Sequence, residues 1–313
     1  MKFLLSVIQE KKMYEKLTGL IAAPFTAFNS DKSVNLEMIP QQVEVLLKQG
    51  VMGAYILGST GEGVSCSMAE RKAVMSAWSK ASAGRLKLIA HIGALALPDI
   101  KELARHAVNE NYYATSVVPP TYFRPGNAAV MAQYIKEVAS YAPELPFYYY
   151  HTMLARLDIT ATAILQQVEA LGGIPNLAGV KFNHHDLFDY QCAAALGGGK
   201  YDIVFGVDEF FAGALEVGAQ GFIGSTYNYM ADVYFQIWQA WKNNDKAAVA
   251  QGMRIVCEGV KLLIKYGGLP CGKALMQLQD LDCGGVRLPL VDLTGEQITT
   301  LLQEAQAIMQ DKN

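Results

Sequence analysis

One lysine at the end of an apolar segment is the residue best suited to covalent chemistry. The segment Leu177–Phe182 reads LAGVKF. In a strand, alternation puts the large apolar Val180 and Phe182 on one face and Lys181 on the other, together with Leu177. An ammonium group is costly to bury, so such a lysine favours the neutral amine, a nucleophile toward ketones. Periodicity alone also fits a strand-end lysine that extends to water.

Two other segments end in groups that could assist a reactive lysine. Phe147–His151 reads FYYYH, and Tyr150, just before the loop, could present a hydroxyl that relays protons. Gly58–Gly63 reads GSTGEG, where small residues let backbone N–H groups converge and Ser59 and Thr60 add donors. This arrangement suits a substrate carboxylate. A phosphate loop would need a following Lys-Ser/Thr, which is absent, and a simple tight turn is the alternative.

Two later apolar segments also end in polar residues. Gly206–Glu209 reads GVDE, and Gly224–Asn228 reads GSTYN. The adjacent carboxylates of Asp208 and Glu209 could accept hydrogen bonds from a polyol, although acidic residues also favour the first turn of a helix. We expect no metal site.

Eight short apolar runs alternate with amphipathic stretches, which is the pattern of buried parallel strands separated by helices. A doubly wound sheet, the alternative, would usually carry a glycine-rich turn after its first strand, and none is present. The sequence therefore predicts an α/β fold, a (β/α)8 TIM barrel with a C-terminal helical appendage. The predicted strands are Gly19–Phe25, Gly53–Gly58, Leu86–Ile92, Ala114–Val118, Phe147–His151, Leu177–Phe182, Tyr201–Val207 and Gly221–Ser225.

The strand pattern stops near residue 230, and the rest of the chain reads as helices. We predict an N-terminal extension over 1–16, the barrel over 17–230, and helices over 231–313 that pack on it as one structural unit. In such barrels the chemistry sits at the carboxyl ends of the strands. The candidate residues, which follow strands two, five, six, seven and eight, should therefore meet at one mouth.

The bulk composition excludes several classes of protein. The 313 residues are 51% hydrophobic and 18% charged, which is ordinary for a globular protein with a sizeable core. A net charge of −3 gives no basic surface for nucleic acid. The five cysteines include no C-x-x-C pair, which indicates free thiols. No apolar run reaches the roughly 18 residues of a membrane span.

The first residues, MKFLLSVI, are only faintly similar to a signal peptide. Their apolar part is short and continues directly into charged residues, without a small-residue cleavage site. We expect a cytoplasmic protein, with secretion as the weaker alternative.

Several of these motifs resemble one family in the order that it requires. The GSTGE sequence at 58–62, Tyr150 and Lys181 resemble the N-acetylneuraminate lyase and dihydrodipicolinate synthase family of class I aldolases. The resemblance covers about residues 17–280. The GVDE and GSTYN segments resemble the N-acetylneuraminate lyase branch, whereas the synthases lack the Asp-Glu pair.

The resemblance implies roles for individual residues. Lys181 would form a Schiff base with the C2 ketone of a sialic acid, so no separate cofactor is needed. Tyr150 would move the proton of the C4 hydroxyl close to Ser59 and Thr60, whose loop would bind the carboxylate. Tyr122 would enter the site of a neighbouring subunit, which implies a homotetramer built from tight dimers. The substrate would be held by Ser59, Thr60, Asn183, Gly206, Asp208, Glu209 and Ser225.

The segment after strand five departs from the family pattern. It has no proline, Ala155 stands where the synthases carry a carboxylate-binding arginine, and Arg156 is one residue further on. Asn183 also replaces the usual hydroxyl residue. Reversible cleavage of N-acetylneuraminate to N-acetylmannosamine and pyruvate is thus one expectation. A dihydrodipicolinate synthase or keto-deoxy sugar acid aldolase is a second, and a non-catalytic sialic acid or keto acid binding barrel is a third.

Overall fold

The computed structural model describes residues 14–310, in which eight parallel strands pair in chain order and close between the first and the last. This confirms the predicted (β/α)8 barrel, and each observed strand falls within a predicted run or within one residue of its end. The strands are β1 Gly19–Ala22, β2 Gly53–Ile56, β3 Lys87–His91, β4 Ala114–Val117, β5 Phe147–Thr152, β6 Leu177–Asn183, β7 Asp202–Phe205 and β8 Gly221–Gly224.

Helices follow the strands in alternation, and further helices complete the chain. Local signals define some of their ends. Ser67 and Glu70 form the reciprocal capping box that begins α2, with Ser67 Oγ accepting from the Glu70 amide at 3.3 Å. The helices are α1 Ile39–Lys48, α2 Met68–Ser82, α3 Leu97–Asn109, α4 Ala128–Ala139, α5 Ala161–Ala170, α6 Leu187–Gly199, α7 Phe211–Glu216, α8 Ala231–Lys242, α9 Lys246–Lys265, α10 Leu269–Leu275 and α11 Gly295–Gln310.

The strands separate two apolar regions, because alternate side chains point into the lumen and toward the helices. Val180 and Phe182 pack in the helix-facing core, as alternation predicts. The prediction that Leu177 shares the lumen side with Lys181 is wrong, since Leu177 belongs to the helix-facing core. The cause is a bulge in β6. Phe147 of β5 pairs with Leu177 and the next residue, Tyr148, pairs with Gly179, which leaves Ala178 without a partner in the ladder.

The amino-terminal end of the lumen is closed by polar contacts around Asp202. This carboxylate accepts hydrogen bonds from the Leu17 amide at 2.9 Å and from the Tyr148 hydroxyl at 2.8 Å. Burial raises its pKa, and both hydrogen bonds oppose that rise. In the sheet, Gly179 of β6 is paired with Tyr148 of β5 on one side and with Asp202 of β7 on the other. These polar side chains therefore lie one layer below Lys181, which is two residues further along β6.

The C-terminal helices pack side by side, α9 against α8 and then α10 and α11 against α9. The proposed boundaries at 16/17 and 230/231 stay predictions, and most of the predicted extension lies outside the described residues. Within residues 14–310, no helix has the length and apolar character to cross a membrane. All five cysteines are free thiols.

Candidate active site

Lys181 lies in the barrel lumen, where its side chain is held between two aromatic rings. Its Nζ is 3.9 Å from the ring centroid of Tyr150 and 4.3 Å from that of Tyr55. The residue is only 5% exposed. Tyr150 is its direct partner in the β5–β6 ladder, which puts both side chains on the same face. The structure thus places the predicted lysine and tyrosine together.

Tyr55 and His91 complete the aromatic wall around Tyr150. The Tyr55 hydroxyl donates to Ser116 Oγ at 2.9 Å, and burial raises the pKa of Tyr55 well above its usual value. His91 Nδ1 donates to the Leu57 carbonyl at 3.1 Å. Burial, followed by the charges of Arg71 and Lys181, lowers the pKa of His91 to about 3. The imidazole is therefore neutral, and it braces the end of β2 rather than adding charge to the site.

The Gly58–Gly63 loop folds back compactly on the end of β2. A Cβ at Gly63 would lie 1.9 Å from the Leu57 carbonyl oxygen, and one at Gly58 would lie 2.6 Å from the Tyr55 ring. Both positions therefore require glycine. Because Gly58 packs on the ring that also contacts the Lys181 amine, the loop and the lysine share one wall.

The two hydroxyl residues of this loop differ in exposure. Ser59 is exposed at the mouth of the barrel, and Thr60 is half-buried. The Ser59 carbonyl accepts from the Glu62 amide at 3.2 Å, which closes a tight turn. The turn hypothesis is thus correct for the backbone, while the Ser59 side chain is left available for a ligand.

Asp208 presents a buried carboxylate oxygen at the end of β7. Its Oδ2 accepts from the Thr226 amide at 3.1 Å and from Thr226 Oγ1 at 2.7 Å. Its Oδ1 is buried and accepts no hydrogen bond of good geometry from the described residues. The Tyr227 hydroxyl lies close to this carboxylate, and burial, followed by the charge of Asp208 and a hydrogen bond to it, raises the pKa of Tyr227 well above its usual value. Burial raises the pKa of Asp208, although the Thr226 hydrogen bonds oppose the rise. A buried acceptor without a partner is costly, and a ligand hydroxyl would satisfy it.

Glycine at the end of β8 makes this orientation of Asp208 possible. A Cβ at Gly224 would lie 1.9 Å from Asp208 Oδ1. Glu209, in contrast, turns outward: its side chain is 34% exposed and its Oε1 lies 3.8 Å from His185 Nε2. The adjacent carboxylates therefore occupy different environments, one inside the barrel and one at its rim.

The remaining predicted contacts also lie at strand ends. Asn183 ends β6, and its Oδ1 would be 2.9 Å from a Cβ on Gly206, so its side chain lies close against the end of β7. Ser225 follows β8 and is half-buried. Tyr122 is different: its side chain is 78% exposed and its ring contacts Phe123, so this chain does not bury it in its own lumen.

Sequence reasoning missed two residues that shape the site. Tyr55 could have been found by alternation along β2, which gives it the lumen face. Thr226 lies in the hydroxyl-rich segment after β8, but nothing in the sequence pairs it with Asp208. Within residues 14–310, no cluster of three or more His, Cys, Asp or Glu is arranged to hold a metal ion.

Comparison with known proteins agrees with the fold and the motifs. The sequence profile of the dihydrodipicolinate synthetase family matches residues 16–308. N-acetylneuraminate lyase from Danio rerio is 35% identical over 302 residues, which cover 95% of each chain. The lyase from Xenopus tropicalis is 38% identical over 291 residues, covering 88% of this chain and 91% of the relative.

Solved structures give the same result. The N-acetylneuraminate lyase of Proteus mirabilis superposes with a TM-score of 0.92 at 44% identity, covering 94% of this chain and 99% of that one. The sialic acid aldolase of Aliivibrio salmonicida gives 0.92 at 42% identity, covering 94% and 98%. The chain therefore belongs to the dihydrodipicolinate synthetase family of class I aldolases.

Proposed function

We propose that this chain cleaves N-acetylneuraminate reversibly to N-acetylmannosamine and pyruvate through a Schiff base on Lys181. The observation that carries the proposal is the Lys181 amine in the lumen, in contact with the ring of Tyr150. The named lyases among its relatives support the same substrate. No bound cofactor is needed, because the imine itself activates the substrate.

The residues in the lumen fit each step of such a reaction. The Lys181 amine adds to the C2 carbonyl of the open-chain sugar acid. The Tyr150 hydroxyl supplies the proton with which water leaves, which gives a protonated imine and a tyrosinate. The C4 hydroxyl gives its proton to Tyr150 as the C3–C4 bond breaks, and the electron pair of that bond moves toward the imine to form an enamine. N-acetylmannosamine leaves, the enamine takes a proton at C3, and hydrolysis releases pyruvate and free Lys181.

The ends of the substrate have different partners in this proposal. Ser59, Thr60 and the backbone amides of their loop bind the carboxylate, which is adjacent to C2 and so lies close to Lys181. Asp208 Oδ1, which accepts no hydrogen bond of good geometry from the described residues, accepts a hydroxyl of the tail, and Glu209 contacts the tail at the rim. Asn183, Gly206 and Ser225 line the path between them.

A related aldolase with a different aldehyde is the second candidate. The observation that favours it is the segment after β5, where Ala155 is buried and Arg156 is exposed. That segment therefore offers the arginine to solvent, which fits an aldehyde other than N-acetylmannosamine. A non-catalytic binding barrel has no use for a lysine and a tyrosine in contact, and the relatives named above are lyases.

Borohydride trapping with pyruvate, followed by peptide mass mapping, tests the proposal. We expect an adduct on the Lys181 peptide, and none in Lys181→Arg, which keeps a long side chain of similar size but cannot form the imine under these conditions. Absence of an adduct in the folded wild-type protein would exclude the aldolase. Pyruvate release, coupled to a dehydrogenase, then compares N-acetylneuraminate with keto-deoxy sugar acids, and release only from the latter would favour the second candidate.

We further propose that the enzyme is a cytoplasmic homotetramer of tight dimers, in which Tyr122 enters the neighbouring subunit's site. The exposure of Tyr122 and of Phe123, which is 85% exposed, supports an interface there. Light scattering should give a tetramer, and Tyr122→Ala should lower cleavage. A fully active monomer would exclude this assembly.

A further inference from the structure

A buried ion pair joins the loop after β2 to the C-terminal helices. Lys273 Nζ, from α10, lies 2.7 Å from Glu62 Oε1, and both side chains are 1% exposed. Glu62 follows Ser59 and Thr60 by only a few residues in the loop. We propose that Lys273 is a positioning residue, which fixes this loop in the conformation that binds the substrate carboxylate. The inference rests on the proposed function and assigns part of the site to the C-terminal helices.

The surroundings of Lys273 fit it to hold one fixed geometry. Its Nζ also donates to the Gly285 carbonyl at 2.7 Å and lies 3.9 Å from the centroid of the Phe28 ring. Burying two charges costs much of what their attraction provides, so such a pair contributes little net stability. Removing one partner is costly, because it leaves the other charge buried and unpaired. A pair of this kind selects one arrangement over its alternatives, here one position of Glu62.

Arg287 reinforces the same arrangement from the neighbouring segment. Its amide donates to Glu62 Oε2 at 3.1 Å, and its guanidinium donates to the Ser65 carbonyl at 2.8 Å. The guanidinium also binds Glu70, in the first turn of α2, at 2.9 Å, and lies 4.4 Å over the Phe28 ring. Both carboxylate oxygens of Glu62 are therefore held by residues from beyond the barrel strands.

The restraint reaches Ser59 through the backbone of the loop. Glu62 adopts a left-handed conformation, with φ of +49°, and its amide donates to the Ser59 carbonyl at 3.2 Å. A non-glycine residue in this conformation is strained and persists only where the surroundings hold it. If Lys273 is removed, Glu62 can relax, and the turn that presents Ser59 and Thr60 relaxes with it.

Pyruvate is the probe that isolates this effect, because it has a carboxylate and a ketone but no sugar tail. The variants are Lys273→Met, Glu62→Gln and the double variant, which removes both charges and so leaves none buried alone. Lys265→Met is the matched control, since Lys265 forms an exposed ion pair with Glu304 at 2.6 Å in the same helical region. Initial rates of borohydride trapping are measured against pyruvate concentration, with acetone as a ketone that lacks the carboxylate.

We expect the half-saturating pyruvate concentration to rise at least about tenfold in the folded single and double variants. The maximal trapping rate should change much less, and the preference for pyruvate over acetone should fall. Lys265→Met should match the wild type, and Lys273→Arg should recover part of the loss. A purely structural role would lower the melting temperature and leave half-saturation unchanged.

The outcomes separate the two proposals. A wild-type protein that traps no pyruvate would refute the proposed function itself. Wild-type half-saturation in a folded single variant would overturn the positioning role of Lys273. If the single variants do not fold, the double variant decides in the same way.

Discussion

Substitution of Asp208 by Asn separates recognition of the sugar tail from imine chemistry. Asn has nearly the same shape, and its amide oxygen can still accept from the Thr226 amide and hydroxyl, now at 3.1 and 2.7 Å from Asp208 Oδ2. The amide nitrogen then takes the place of Oδ1, the buried oxygen that accepts no hydrogen bond of good geometry. An NH2 group donates and cannot accept a substrate hydroxyl there.

The size of the effect follows from the bond that is lost. A hydrogen bond to a charged group contributes about 1.5–3 kcal/mol. Losing one should therefore lower kcat/KM for N-acetylneuraminate about 10- to 150-fold. Pyruvate has no tail, so its half-saturation in borohydride trapping should stay within about twofold of the wild type.

The assay compares coupled pyruvate release with trapping in the same preparation. Equal kcat/KM for N-acetylneuraminate in wild type and Asp208→Asn would refute the assignment of the tail to Asp208. A parallel loss of pyruvate trapping would also refute it, because the defect would then lie at Lys181 or in the fold.

The same substitution makes a prediction about stability. Because the folded pKa of Asp208 is raised above 3.8, the ionised carboxylate opposes folding above the folded pKa. That penalty disappears as pH falls through the folded pKa. At pH 7 the Asp208→Asn variant should therefore be at least as stable as the wild type, and any gain should shrink toward pH 4. Thermal unfolding at the two pH values measures this, and a clear loss at pH 7 would contradict the reasoning.

Three further predictions concern the barrel strands and the loop after β2. Tyr150→Phe should retain trapping with pyruvate but slow cleavage about 10²- to 10⁴-fold, measured by single turnover, and equal turnover would remove Tyr150 from the mechanism. Burial lowers the pKa of His91 to about 3 and of His151 to about 4. The stability from their neutral forms is complete above pH 6.5 and should fall by about 1.4 kcal/mol per pH unit for each as pH drops toward 4. His91→Gln should flatten this slope in denaturant titrations, and an unchanged slope would contradict the assignment. Gly63→Ala brings a Cβ to 1.9 Å from the Leu57 carbonyl oxygen, so the melting temperature of this variant should fall by several degrees or more. Gly84→Ala is the control, because a Cβ there would meet no atom within 4 Å. It should show only the smaller cost of a left-handed backbone.

The sequence predicted the parts of the fold that depend on local pattern. Alternation located the strands and the lumen face of Lys181, and the Ser67 capping box located the start of α2. Alternation failed at Leu177, because a bulge changes the side on which a residue faces without any mark in the sequence. Nothing in the sequence distinguished Asp208 from Glu209 as ligand contacts, although the structure buries the first carboxylate and exposes the second at the rim.

The anchoring of the carboxylate loop could not be predicted either. The Arg287 amide and Glu62 are 225 residues apart, and neither residue has a local pattern that names its partner. Contacts of this kind depend on how the last helices pack on the finished barrel. The residues that carry the proposed chemistry could therefore be predicted from the sequence, whereas the contacts that hold the loop after β2 could not.

The closed amino-terminal end of the barrel determines the order in which substrates bind and products leave. Asp202, Tyr148 and Leu17 close the lumen one layer beneath Lys181, so in the proposed reaction ligands enter and leave past the loops at the other end. In the proposed reaction the aldehyde lies between the enamine and solvent, and it must depart before pyruvate. Synthesis must then load pyruvate first. Steady-state kinetics should be ordered, with pyruvate inhibiting cleavage competitively and N-acetylmannosamine inhibiting it noncompetitively.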